Sequence, residues 1–195
     1  MSSLRIYGIA RTRAFRALWV AKELGLDYQH LPIEIGDDGA KSPEFLAINP
    51  EGTVPTLLID GRALTEVAAI LYYLARRFPE ANLLPRDEPE AEAHAISWMS
   101  FVASRVHPAR GRGLEYATKI YKLADERLGA REWAIGRYSI ADIHLFRLFW
   151  RFQNSLKPPP GTFPNLTAHC HRMMERPAVK KTIEVEAAVG YELPA

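Results

Sequence analysis

Three short stretches carry residue types that can do chemistry. The first is NPEGTVPTLLIDG, residues 49–61, where Pro50, Gly52 and Pro55 crowd in front of a short apolar run. Proline deletes a ladder hydrogen bond. The segment is therefore either a loop entering a hairpin or a backbone bent at Val54 and Pro55 to hold something. The second is Thr65-Glu66-Val67, which opens a stretch of helical spacing. Thr65 suits an N-cap, and the free N–H groups of a first turn suit a carboxylate. Glu66 is equally at home there as an acid facing the helix dipole. The third is His169-Cys170-His171. Adjacent helical side chains diverge by ~100°, so these three cannot converge on one ion, and no metal is expected.

Those residues must be positioned by folded elements. LRIY at 4–7 has the composition of a buried strand. After it, Ala14, Leu18, Ala21 and Leu24 fall at helical spacing, with Gly25 where a C-cap glycine belongs. A second strand follows around 28–33, and strand–helix–strand at this length demands a parallel pair with a right-handed crossover. A polar stretch then carries one irregular helical turn at 43–47. Asp60-Gly61 between Thr56–Ile59 and Arg62–Leu64 is a strong hairpin signal. Val67, Ile70, Leu71, Leu74 and Phe78 then repeat at helical spacing. Pro79, Pro85 and Pro89 mark a linker, and everything beyond it has a helical pattern, including 90–106, 114–128, 140–151 and 164–176. Pro177 occupies the first-turn position of a last, shorter helix. The organisation expected is a mixed α/β domain of βαβ–ββα order at 1–78, a linker at 79–89 and an all-α domain at 90–195. Ser139 and Asp142 form a capping box at the helix from 140, with Tyr138 and Ile143 placed for a hydrophobic staple.

Bulk properties narrow the function classes. The 195 residues are 48% hydrophobic and 25% charged, an ordinary globular composition long enough for a real core. A formal net charge of +2 gives no electrostatic footprint for nucleic acid. WRFQNSLK lacks a sustained basic stripe, and GRG at 111–113 lacks the spacing of a nucleotide fingerprint. No apolar run approaches the ~20 residues of a membrane span. The single cysteine, Cys170, excludes CxxC redox chemistry and a disulfide framework, and it suits a reducing compartment. Arg5, Arg11, Arg13 and Arg16 invite comparison with a transit peptide, but 4–7 is already strand-like, so a cytoplasmic protein is expected.

The βαβ–ββα order, the Val-Pro before the third strand and the all-α second half together resemble the cytosolic glutathione transferases. The matching segments are IYGIARTRAFRALWVAKELGL, FLAINPEGTVPTLLIDGRALTEVAAILYYLARRFP and RYSIADIHLF. WMSFVASRVHPA, EWAIGRYSIAD and RMMERPAV are most similar to the bacterial beta class. The resemblance implies a thioredoxin-like α/β domain followed by an all-α helical domain, a homodimer, and glutathione as co-substrate.

It also implies a site. The bond to Pro55 would be cis, turning the N–H and C=O of Val54 outward to bind the cysteinyl backbone of glutathione as an added strand. Glu66 would meet the γ-glutamyl ammonium while N–H groups near Val67 hold its carboxylate. Lys41, ahead of Gln29, is the candidate for the glycyl carboxylate, a solvated loop lysine being the alternative. Thr12 stands where the beta class has cysteine and several others have serine. A hydroxyl at a helix start, beside Arg11 and Arg13, favours a thiolate; a plain N-cap is the other reading. His107 matches a histidine facing the sulfur, with Pro108 in place of the usual lysine, and a packing role is its alternative. Trp98, Phe101 and Tyr116 are either electrophile-site or core aromatics. The function expected is transfer of the glutathione thiolate to a small apolar electrophile; the alternative is a non-catalytic binding or interaction module of the same fold.

Overall fold

The computed structural model describes residues 4–188. By their contacts these residues divide into two units, 4–81 with 180–188, and 82–179.

In the first unit, β1 (Leu4–Tyr7), β2 (Gln29–Leu31), β3 (Thr56–Ile59) and β4 (Arg62–Leu64) form one sheet in the order β2-β1-β3-β4. β1 runs parallel to β2 and antiparallel to β3, with Tyr7 opposite Thr56. The hairpin pairs Leu57 with Leu64, and its turn residues Asp60 and Gly61 both have positive φ, 47° and 83°, as a two-residue turn matching strand twist requires. Helix α1 (Phe15–Glu23) buries every residue from Phe15 to Ala21, and α3 (Val67–Arg77) buries Val67, Ile70, Leu71, Leu74 and Ala75 against it. A short α2 (Pro43–Leu46) is capped by Ser42, whose hydroxyl accepts from the Phe45 N–H.

The start of α1 departs from expectation. A regular helix from residue 13 was predicted; the chain instead makes a wide π-type turn, Ala10–Ala14, broken at Thr12 (φ −96°, ψ −164°). Thr65 is likewise not the N-cap of α3. That position belongs to Glu66, at φ 64° and ψ 119°, with no side-chain cap.

The second unit holds α4 (Pro89–Phe101), which continues through a π-type stretch, Val102–Val106, into α5 (His107–Ala109). α6 (Leu114–Leu128), α7 (Ile140–Leu156) and α8 (Pro164–Met174) follow. The last helix, α9 (Pro177–Ala188), starts in this unit and passes into the first at residue 180. α7 is buried on every side from Ile140 to Trp150, the mark of a central helix. Tyr121 of α6 stacks on Phe152 at 4.1 Å and donates to the Leu148 carbonyl at 2.9 Å.

Two carboxylates organise this unit. Asp142 completes the capping box with Ser139 and also accepts from the Ala134 N–H (2.8 Å) and from His169 Nε2 (3.0 Å). Asp125, on α6, accepts from the Leu166 N–H (2.8 Å) and the Asn165 amide (2.9 Å), capping α8 from another helix. Among the described residues no helix is long and apolar enough to cross a membrane.

Candidate functional site

The chemistry-bearing residues of the first unit gather at one end of its sheet. The bond between Val54 and Pro55 is cis. Pro55 leads directly into β3, so the ladder starts only at Thr56, opposite Tyr7. Among the described residues, neither the N–H nor the C=O of Val54 has a hydrogen-bond partner. Its side chain is buried with Tyr7, Ala40 and Phe45, so the backbone alone is offered. Extending the hairpin register two residues beyond Leu57 and Leu64 sets Pro55 and Glu66 at the same end.

There α3 begins. The first intrahelical bond runs from the Ile70 N–H to the Glu66 carbonyl, leaving the N–H groups of residues 67–69 without helical acceptors. The Val67 side chain is 5% exposed and packs into the apolar face of α3, so position 67 contributes its N–H and no side-chain group. Glu66 is exposed, and its carboxylate makes no cap. A non-glycine residue at its φ is strained, and such strain concentrates at ligand clamps.

The turn after β1 approaches from the other side. Gly8, at φ 125°, leaves no room for a side chain: a Cβ there would lie 2.7 Å from Ala14 Cβ and 3.0 Å from Val54 Cβ. This glycine lets the Thr12 turn close onto the Val54 loop. The Thr12 hydroxyl donates to the Ile9 carbonyl at 2.6 Å and accepts from the Ala14 N–H at 3.1 Å. Its one proton is thus engaged in capping its own turn. The Arg11 side chain lies outside the described residues, and Arg13 is exposed.

The loop before Pro55 is set by Asn49, a residue the sequence reading passed over. Its buried amide donates to the Thr53 carbonyl and to Thr56 Oγ1, both at 3.0 Å, and its oxygen accepts from the Glu51 N–H at 3.1 Å. Asn-Pro as a turn initiator was the signal available for it. Lys41 donates to the Glu51 carbonyl at 3.0 Å and lies over Gly52, so in this structure it braces the same loop. Gln29 pairs with Arg5, towards the opposite end of the sheet.

In the second unit, half-buried His107 starts α5 directly after the π-type stretch. Trp98 is core: its indole donates to the Ala134 carbonyl at 2.9 Å, and Phe101 meets its ring edge-on at 5.9 Å. Tyr116 lies under the Arg112 guanidinium at 3.7 Å. Burial pushes the Cys170 thiol up to about 12, which keeps it protonated and unreactive. His169 is buried on Asp142, whereas His171 beside it is exposed.

Comparison with known proteins agrees with this layout. Residues 2–76 match the model of the glutathione S-transferase N-terminal domain, and residues 91–177 match that of the C-terminal domain. The glutathione S-transferase GstA of Escherichia coli O157:H7 is 30% identical over 178 residues, 84% of this chain and 85% of that protein. A maleylacetoacetate isomerase of Pseudomonas aeruginosa is 36% identical over 109 residues, 54% of this chain and 51% of that one. Among solved structures, a glutathione transferase from Methylococcus capsulatus superposes with a TM-score of 0.85 at 27% identity, over 95% of this chain and 99% of its own. A homologue from Sulfitobacter with bound glutathione superposes with a TM-score of 0.79 at 25% identity, over 94% and 98%. With both family domains matched in order and a relative of this identity along most of its length, the chain belongs to the glutathione S-transferase family.

Proposed function

We propose that this protein binds glutathione and transfers its thiolate to a small apolar electrophile, as a beta-like glutathione transferase with threonine at the usual cysteine or serine position. The observation that carries the reading is the unpaired backbone of Val54 beside the free first turn of α3. An extended dipeptide can pair with the Val54 N–H and C=O as one more strand. The γ-glutamyl carboxylate then meets the N–H groups of residues 67–69, and Glu66 takes the ammonium. Lys41 reaches the glycyl carboxylate by releasing the Glu51 carbonyl.

Activation of sulfur is a matter of its proton. A free thiol has a pKa of ~8.5, and attack needs the thiolate. Thr12 supports that anion by swinging its hydroxyl from the Ile9 carbonyl to sulfur, at the start of a helix whose dipole favours negative charge. His107 is the second candidate donor, a role taken from the family resemblance. The thiolate then forms a carbon–sulfur bond, and the electrophile's leaving group departs with the electron pair. We read 1–78 as the glutathione-binding domain, 79–89 as linker, 90–195 as the helical domain, and the working state as a cytoplasmic homodimer.

A second reading, a binding module without catalysis, draws on the engaged Thr12 hydroxyl and the buried Val67. One experiment separates the two. Glutathione is titrated by calorimetry while thiolate absorbance is followed in the same samples. A transferase shows saturable binding, one per chain, with a lowered thiol pKa. Thr12→Ala is then expected to retain binding while losing about 10–100-fold in conjugation rate, the scale of a lost donor to a developing anion. Unchanged conjugation removes Thr12 from the mechanism, and no binding at millimolar glutathione removes the enzyme reading.

A further inference from the structure

A cleft of about 540 Å³ lies wholly within the helical unit. Ala91, His94, Ser97 and Trp98 of α4 form one wall, Arg127 and Arg131 the other, and residues 134–136 close it. Its volume is that of a small-molecule site.

The charges in it are one-sided. The Arg127 guanidinium lies 4.4 Å above the Trp98 ring and 5.0 Å from that of Phe101, and one of its nitrogens donates to Ser97 Oγ at 2.8 Å. Arg131, just beyond the end of α6, turns back to donate to the Arg127 carbonyl. Among the described residues neither guanidinium has a carboxylate partner. No acid lines the cleft; Glu88 and Glu90 lie beyond His94 in a separate shallow groove, and Glu88 is paired with Arg137 at 3.1 Å. Burial, and then the charge of Arg131, push the Arg127 guanidinium below its ordinary range.

Favourable placement at a helix C-terminus explains Arg131 alone. It does not explain a second guanidinium held flat by two aromatic rings inside a concave wall, with most of its five donors unmatched. A guanidinium pair of this kind is complementary to an oxyanion, which it can grip with two parallel bonds from each fork. Ala91, Ala134 and Ile135 supply an apolar flank for whatever carries it.

We propose that this cleft binds an oxyanion, phosphate or carboxylate, carried on a small apolar body, independently of the glutathione reading. The test is calorimetry at low salt with phenyl phosphate and with benzoate, phenol serving as the uncharged control. Saturable binding of a charged probe, absent for phenol, is expected, and the stronger of the two probes names the source of the oxyanion. Arg131→Gln should weaken it on the order of tenfold, the loss of one charge-assisted bond, and Arg131→Glu more. Glutathione titrations of both variants should match the parent, showing that they fold. No saturable heat with either charged probe overturns the proposal, as does equal affinity across the variants. So does loss of probe binding when glutathione saturates the protein. If sedimentation shows a dimer that Arg131→Gln separates and the probe dissociates, the cleft seats a second copy of this chain instead. Loss of glutathione binding with probe binding kept would count against the transferase reading alone.

Discussion

Glu66 is held at φ 64° and ψ 119°, where only glycine is comfortable, at the mouth of the helix proposed to receive glutathione. Strain of this kind costs about 1–3 kcal/mol and persists where the surroundings impose it. Glu66→Gly should therefore raise the urea midpoint, by up to about 1 kcal/mol once the added freedom of the unfolded glycine is discounted, while weakening glutathione binding. A gain in stability with undiminished affinity would mean that the carboxylate does not meet the ligand. The Thr-Glu and Val-Pro pairs were legible because turn and helix-start chemistry is local. The expectation of Thr65 as N-cap failed because residue preference says nothing of a strained backbone imposed by the hairpin. Asn49 escaped notice because its amide reaches Thr53 and Thr56 only after the loop has closed.

Among the helices, α7 shows how much of an element can be written in four residues. S-x-x-D at 139–142 was readable as a helix start, and the structure adds two partners that no local rule supplies, the Ala134 N–H and His169. Asp142→Asn keeps the shape of the side chain but replaces one acceptor oxygen by a donor facing other donors. With the carboxylate fully buried, the loss should be about 3–5 kcal/mol, measured by chemical denaturation. A loss below about 1 kcal/mol would reduce the residue to an ordinary cap. The reach of Asp125 from α6 to the first turn of α8 was not legible, since its partners are separated by most of two helices in sequence. The π-type turns at Ala10–Ala14 and Val102–Val106 were missed for a different reason: one extra residue per turn leaves apolar spacing almost unchanged.

Across the whole chain, the change from mixed to all-helical patterning near residue 79 announced two units, and the contacts divide the chain at 81 and 82. The return of 180–188 to the first unit was not announced, because apolar spacing shows which face of a helix is covered and not by what. The chain's single cysteine has a consequence at this scale. Its thiol is 5% exposed and held protonated up to about pH 12, so a protein proposed to work among thiols and disulfides has no thiol of its own to exchange with them. Incubated with oxidised glutathione or an alkylating reagent, the folded protein should stay unmodified for hours, and Cys170 should react only as fast as its helix opens. Mass spectrometry would check this directly, with prompt modification in the absence of denaturant as the contrary result. Cys170 would then serve as a built-in clock for the opening of the helical unit, and oxidising conditions that poison thiol enzymes would leave this one unmarked.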